Sequence, residues 1–99
     1  MLINKTQENG KLTLSLSGRL DTTSAPQFQD ALLPAFDEAN EIQLDFTELA
    51  YVSSAGLRVL LMGQKMATAK GASMRLTNIC EEIREVLDIT GFSNILTLE

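Results

Sequence analysis

The sequence predicts an α/β domain with a mostly parallel sheet. Three observations lead to this fold class: alternating apolar runs typical of strands, amphipathic stretches typical of helices between them, and an Asn-Gly turn typical of a hairpin near the start. Strands that alternate with helices form parallel sheets with right-handed crossovers. The order β-β-α-β-α-β-α-β therefore predicts one domain over residues 1–99, with a mixed sheet, a mostly parallel core and helices packed on it.

The N-terminal hairpin is the first predicted unit. Leucines at alternate positions between residues 11 and 17 are separated by polar residues, which is the pattern of a half-buried strand. Asn9 and Gly10 precede this strand and tolerate the positive φ of a tight turn. We therefore expect Leu2 to Glu8 to be its antiparallel partner.

The segment after the hairpin predicts the first helix. Ser24 can cap its N-terminus while Gln27 reaches back, and Pro26 loses no hydrogen bond in the first turn. Pro34 removes a hydrogen bond from the interior, which predicts a kink or an early end. Four apolar residues share one helical face: Phe28, Leu32, Ala35 and Phe36.

A second alternating strand, with Ile42, Leu44 and Phe46, leads through a short polar break to the longest helix. Ser53 and Ser54 stand directly before this helix, which Gly71 should stop. Its first turns are apolar nearly all round, so it is either sandwiched in the core or offers one apolar face to a partner. The remaining predicted elements are a strand from Ser73 to Thr77, an amphipathic helix ending at Gly91, and a strand from Ile95 to Leu98.

The serine pair places a hydroxyl where a helix begins. The first backbone N–H groups of a helix have no intrahelical partner and its dipole is positive there, so the position accepts a phosphate readily. A serine in this place is a cap, a phosphate-bearing switch, or both.

Composition excludes several classes of protein. The net charge is −5 and the eight basic residues are scattered, so we expect no direct nucleic-acid contact. The longest apolar run, Val59 to Met62, is far shorter than a membrane span, and no signal-peptide pattern begins the chain. Cys80 has no cysteine partner and is expected to be a small buried side chain. We therefore expect a cytoplasmic protein without membrane contact.

Most catalytic chemistry is missing as well. The chain has no histidine, so neither a Ser-His nor a Cys-His pair can form, and the common zinc sites lose their imidazole ligands. No glycine-rich nucleotide loop is present. Asp45 and Glu48 are either paired carboxylates or a solvated strand end and a turn residue. The sequence predicts no enzyme, no cofactor and no metal site.

Four segments in order, GRLD at 18–21, LDF at 44–46, VSSAGLRVL at 52–60 and LDITGF at 87–92, resemble the STAS domain of bacterial anti-sigma factor antagonists. The resemblance covers nearly the whole chain. It implies that an anti-sigma factor serine kinase phosphorylates a serine at the start of the second helix and that a PPM-type phosphatase removes the phosphate. It also implies that the unmodified form binds the anti-sigma factor and so frees the sigma factor.

The resemblance assigns roles to individual residues. Ser54 matches the phosphoacceptor because it stands two residues before Gly56, and Asp21 matches a loop acid near that serine. Well-known family members have an aspartate immediately before the acceptor, where this chain has Ser53. Ser53 is therefore the second choice of acceptor. The expected partner-binding residues are Asp21, Thr22, Ser53, Ser54, Gly56, Leu57 and Arg58.

Each assignment has a structural alternative. Leu57 either offers apolar area to a partner or packs in the core, and Ser54 is either the acceptor or an N-cap. Asp21 either orients a basic group of the kinase or the acceptor hydroxyl, or is a turn residue that binds its own backbone. We expect a monomer or weak dimer. Many family members continue into a C-terminal helix, whereas this sequence ends at Glu99 after the last strand.

Two other functional classes remain open. A STAS module without a phosphorylation cycle, such as a scaffold or the small subunit of a lipid-transport complex, would form a stable complex with a transporter ATPase. An enzyme or small-molecule binder would need a cluster of perturbed ionisable groups in a cleft.

Overall fold

The computed structural model describes residues 1–99 and confirms the predicted order of elements. The strands are β1 (Leu2–Glu8), β2 (Lys11–Leu20), β3 (Glu41–Val52), β4 (Ser73–Thr77) and β5 (Thr97–Leu98). The helices are α1 (Ala25–Ala35), α2 (Ser54–Lys70) and α3 (Glu81–Thr90), and a 3₁₀ turn (Phe92–Asn94) precedes β5.

The five strands form one sheet in the order β1-β2-β3-β4-β5. β1 is antiparallel to β2, and the other neighbours are parallel. In register, Leu12 pairs with Ile42, which pairs with Met74, and all three side chains are buried. Buried residues of all three helices join this row in one apolar cluster. The helices therefore cover one face of the sheet, and polar residues such as Thr13 and Gln43 occupy the other.

β3 continues through the polar break predicted to interrupt it. Its register against β2 shifts twice, so that β3 carries an extra residue at each shift. Asp45 lies at the first shift, where its Oδ1 accepts hydrogen bonds from the Thr47 N–H (3.0 Å), the Thr47 hydroxyl (2.6 Å) and the Asn78 amide (3.0 Å). Glu48 is an exposed strand residue instead of a turn residue. Bulges change which positions face the core, which is why the pattern resembled a turn.

The start of α1 differs from the prediction. The Ser24 side chain makes no cap hydrogen bond; its hydroxyl accepts from the Asp21 N–H (2.9 Å) and donates to the Arg19 carbonyl (2.7 Å). Gln27 donates to the Met1 carbonyl instead of reaching back. The helix ends one residue after Pro34, which corresponds to the predicted early end. The four apolar residues of the predicted face are buried.

α2 packs one face into the core and leaves part of another open. Its buried residues are Gly56, Leu57, Val59, Leu60, Gly63 and Ala67. Leu61 and Met62 are half-buried, so this helix is not sandwiched but presents apolar area at the surface. Gly71 ends the helix with a φ of 67°, as predicted.

The C-terminal part is more irregular than predicted. β5 contains only Thr97 and Leu98, because the chain turns through the 3₁₀ segment and leaves Ile95 exposed. Cys80 is half-buried at the start of α3. No helix in the structure combines the length and the apolar character that a bilayer crossing requires.

Candidate functional site

The start of α2 is held by Ser53. Its backbone is extended (φ −95°, ψ 175°), and its hydroxyl accepts a hydrogen bond from the Gly56 N–H at 3.4 Å. Its own N–H donates to the Leu20 carbonyl at 2.8 Å, which ties the helix start to the end of β2. The N-cap of α2 is therefore Ser53, and the alternative of Ser54 as the cap is wrong because Ser54 already lies inside the helix.

Ser54 is the first residue of α2 and is exposed. Its hydroxyl has no hydrogen-bond partner within the chain. No acidic residue lies in the first turn of α2. The hydroxyl therefore lies at the positive end of the helix dipole, and α2 itself supplies no negative charge there.

Gly56 and Leu57 lie behind the serines, in the interior. A Cβ at Gly56 would stand 2.6 Å from Leu20 Cγ and 3.1 Å from the Leu20 carbonyl oxygen, so only glycine lets α2 approach β2 this closely. Leu57 is 7% exposed and belongs to the core cluster. The core alternative therefore holds for Leu57, because the first turn points this side chain at the sheet. Both residues position the site instead of forming its surface.

Asp21 caps the turn that leads into α1. Its Oδ1 accepts hydrogen bonds from the Thr23 and Ser24 N–H groups, each at 3.1 Å, and its carbonyl accepts from the Ala25 N–H at 2.8 Å. The hydrogen bond from the Ser24 backbone is the main cause that holds the pKa of the Asp21 carboxyl below its usual value. Asp21 follows Leu20, whose carbonyl binds Ser53, so the backbone brings this anion to the start of α2. The turn role is thus observed.

Arg19 and Tyr51 form a pair that no sequence pattern predicted. The Arg19 guanidinium lies 4.0 Å from the centre of the Tyr51 ring, and its Nε is 3.9 Å from Asp21 Oδ2. These residues are register partners on β2 and β3, and Tyr51 is 39% exposed. The only signal in the sequence was a tyrosine two residues before Ser53. Its pairing with Arg19 depends on the second bulge of β3, which the sequence pattern does not reveal.

A groove of about 410 Å³ runs between the starts of α1 and α2. Thr22 and Arg58, both predicted as partner-binding residues, line it and are exposed. Its remaining lining comes from Ala25, Pro26, Gln29, Ala55, Val59 and Met62. Of these, Val59 and Met62 had a signal in the sequence, since the first turns of α2 are apolar nearly all round. The groove adjoins Ser54 through Ala55.

The ionisable side chains form neither a metal-binding cluster nor the pair of Asp45 and Glu48. No group of three or more histidine, cysteine or acidic side chains is placed to hold a metal ion. The Oδ1 of Asp45 accepts hydrogen bonds at the bulge of β3, and its carboxylate does not pair with Glu48. What the site offers is an exposed hydroxyl at a positive helix end, beside a shallow groove and two exposed arginines.

Comparison with known proteins identifies the family. The family model described as "Mlab, STAS domain" matches residues 3–98. The chain belongs to the STAS domain family. Among curated proteins, the anti-sigma-B factor antagonist of Bacillus subtilis is 27% identical over 92 residues, which cover 93% of this chain and 84% of that protein.

Solved structures show the same fold. An anti-sigma factor antagonist from Mycobacterium paratuberculosis superposes with a TM-score of 0.86 at 19% identity, covering 98% of this STAS domain and 83% of that chain. The Bacillus protein SpoIIAA in its phosphorylated form gives a TM-score of 0.77 at 18% identity, covering 99% of this chain and 91% of that one. SpoIIAA in its unphosphorylated form, described as an anti-sigma factor antagonist, gives 0.78.

Proposed function

We propose that this STAS domain is an anti-sigma factor antagonist that binds an anti-sigma factor kinase and releases it when Ser54 is phosphorylated. The observation that carries the proposal is the division of roles between two adjacent serines. Ser53 is committed to the helix cap, whereas the Ser54 hydroxyl is exposed and unbonded at the positive end of α2. The names of the relatives support the antagonist role. A protein with this role acts in the cytoplasm.

The phosphate acts on binding and leaves folding largely unaffected. It adds a charge of about −1.5 to −2, and at a helix N-terminus this charge is favourable by roughly 0.3–1 kcal/mol. A partner that covers Ser54 would instead bury this charge, which costs on the order of several kcal/mol unless the charge is paired. Phosphorylation therefore lowers affinity for the kinase while the domain stays folded. A PPM-type phosphatase would reverse the modification.

The acceptor is tested by mass spectrometry after incubation with the cognate kinase and ATP. We expect one phosphate on the parent protein and on Ser53→Ala, and none on Ser54→Ala. Thermal unfolding of each variant shows that the protein presented to the kinase is folded. Labelling of Ser54→Ala at the parent rate would move the acceptor to Ser53.

The release step is tested with Ser54→Asp and the neutral control Ser54→Asn, which has the same shape. Calorimetric titration with the kinase should show weaker binding for the aspartate variant and near-parent binding for the asparagine variant. Circular dichroism of both variants should match the parent. The asparagine is neutral, and the negative charge of the aspartate is favourable at this helix end. Equal affinity of the two variants would remove charge as the cause of release.

A second candidate function is a STAS module that works without a phosphorylation cycle, as a subunit of a lipid-transport complex. The name Mlab in the matching family model favours it. A stable complex with a transporter ATPase, together with no labelling by any anti-sigma kinase, would support this alternative over the switch.

A further inference from the structure

Arg58 stands one helical turn beyond Ser54 and has no ion-pair partner. Arg19 pairs with Asp21 and Arg75 pairs with Glu41 and Glu99, but the Arg58 side chain is exposed and unpaired. Side chains four residues apart meet on a helix surface, and helical side chains lean toward the N-terminus. The spacing of Ser54 and Arg58 therefore puts a group on Ser54 within reach of the Arg58 guanidinium.

No acidic side chain of α2 is available to form an ion pair with Arg58. Over its 17 residues α2 has three cations, Arg58, Lys65 and Lys70, and no acidic residue, although the whole chain has a net charge of −5. Lys70 pairs with Asp37, which lies beyond the end of α1. No carboxylate of α2 can satisfy Arg58, and an anion followed four residues later by a cation is the favourable orientation on a helix.

We propose that a phosphate on Ser54 pairs with Arg58 and thereby withdraws this cation from the groove between α1 and α2. In the unmodified protein Arg58 lines the groove and is free to meet an acidic group of a partner. In the phosphorylated protein the planar guanidinium binds the phosphate oxygens, for which its geometry is well suited. The phosphate thus adds an anion and occupies a cation of the same surface. This inference rests on the proposed function for its biological use, but the pairing itself does not depend on the kinase.

The test installs phosphoserine at position 54 during translation, so that no kinase is needed. Titration followed by phosphorus NMR gives the second pKa of the phosphate, ordinarily near 6. The R58Q substitution should raise this pKa by about 0.3 pH units, the value that corresponds to one helix-surface ion pair. R58K keeps the positive charge but loses the planar geometry, so it should raise this pKa by less than R58Q does. The control K65Q, whose backbone lies about 16 Å from Ser54 along the helix axis, should leave the pKa unchanged.

A second readout follows Arg58 itself in the protein without substitutions. Its Nε–H resonance should shift on phosphorylation and should titrate with the same midpoint as the phosphate. Equal phosphate pKa values in the parent and R58Q, an equal rise in K65Q, or an unmoved Arg58 resonance would each overturn the pairing. If the pairing is found but no anti-sigma kinase binds or labels the protein, the proposed function fails and the inference about Arg58 stands.

Discussion

Gly56→Ala should destabilise the protein although alanine is the better helix former. The new Cβ would lie 2.6 Å from Leu20 Cγ, 3.0 Å from Leu20 Cδ2 and 3.1 Å from the Leu20 carbonyl oxygen. Leu20 is fully buried, and its carbonyl is held by the Ser53 N–H, so neither the side chain nor the backbone can retreat freely. Overpacking of a core costs roughly 1–3 kcal/mol.

The gain in helix propensity, up to about 1 kcal/mol, offsets part of this cost. We expect a net loss of roughly 1–2 kcal/mol in the free energy of unfolding, which corresponds to a melting temperature lower by about 5–10 °C for a domain of this size. Urea unfolding followed by circular dichroism measures the first quantity, and calorimetry measures the second.

Gly63→Ala is the matched control on the same helix. Its Cβ would meet Leu32 Cδ2 at 2.6 Å and Met74 Sδ at 3.0 Å, and none of its three nearest atoms belongs to the backbone. We expect a smaller loss than for Gly56→Ala. If Gly56→Ala is as stable as the parent, or more stable than Gly63→Ala, the close approach of α2 to β2 is not the reason for glycine at position 56.

Three further predictions concern single side chains. Ser53→Ala should lower stability by about 1 kcal/mol through loss of the cap, whereas Ser54→Ala should stay within about 0.5 kcal/mol of the parent in urea unfolding. Asp21→Asn keeps the oxygen that accepts the turn hydrogen bonds, so melting should change little; a partner role for the charge predicts slower phosphorylation of Ser54 by the kinase. Burial raises the pKa of Asp45, but hydrogen bonds from Thr47 and Asn78 outweigh it and lower the pKa. The stability from this carboxylate is therefore present above its unfolded pKa near 4 and lost as pH falls through the lower folded value. Between about pH 5 and 2, the free energy of unfolding measured in urea should therefore fall less for Asp45→Asn than for the parent.

Each of these predictions has an outcome that contradicts it. Equal losses in Ser53→Ala and Ser54→Ala would show that the cap assignment is wrong. Parent-like phosphorylation and binding of Asp21→Asn would remove Asp21 from the partner surface. An unchanged acid profile in Asp45→Asn would mean that the hydrogen bonds of the β3 bulge do not stabilise the folded carboxylate.

The order of strands and helices and most of the core follow from local patterns in the sequence. Alternating leucines in β2 and the apolar face of α1 are local patterns, and each is decided by residues close in the chain. The serine pair at the start of α2 was visible for the same reason, since a strand pattern changes to a helix pattern there. The family resemblance used these same segments and pointed to the same residues.

The division of roles between the two serines, and the choice of neighbours that reach the surface, follow from contacts made in the folded protein. Ser53 caps α2 through its hydroxyl, while its N–H binds the Leu20 carbonyl at the end of β2 and fixes the helix start there. Leu57 is buried because α2 packs closely against β2 through Gly56. The bulges of β3 bring Tyr51 under Arg19, and the packing of α1 beside α2 creates the groove that Arg58 lines. These features depend on contacts between residues distant in the chain, and periodicity along one segment carries no information about which distant segment will lie against it.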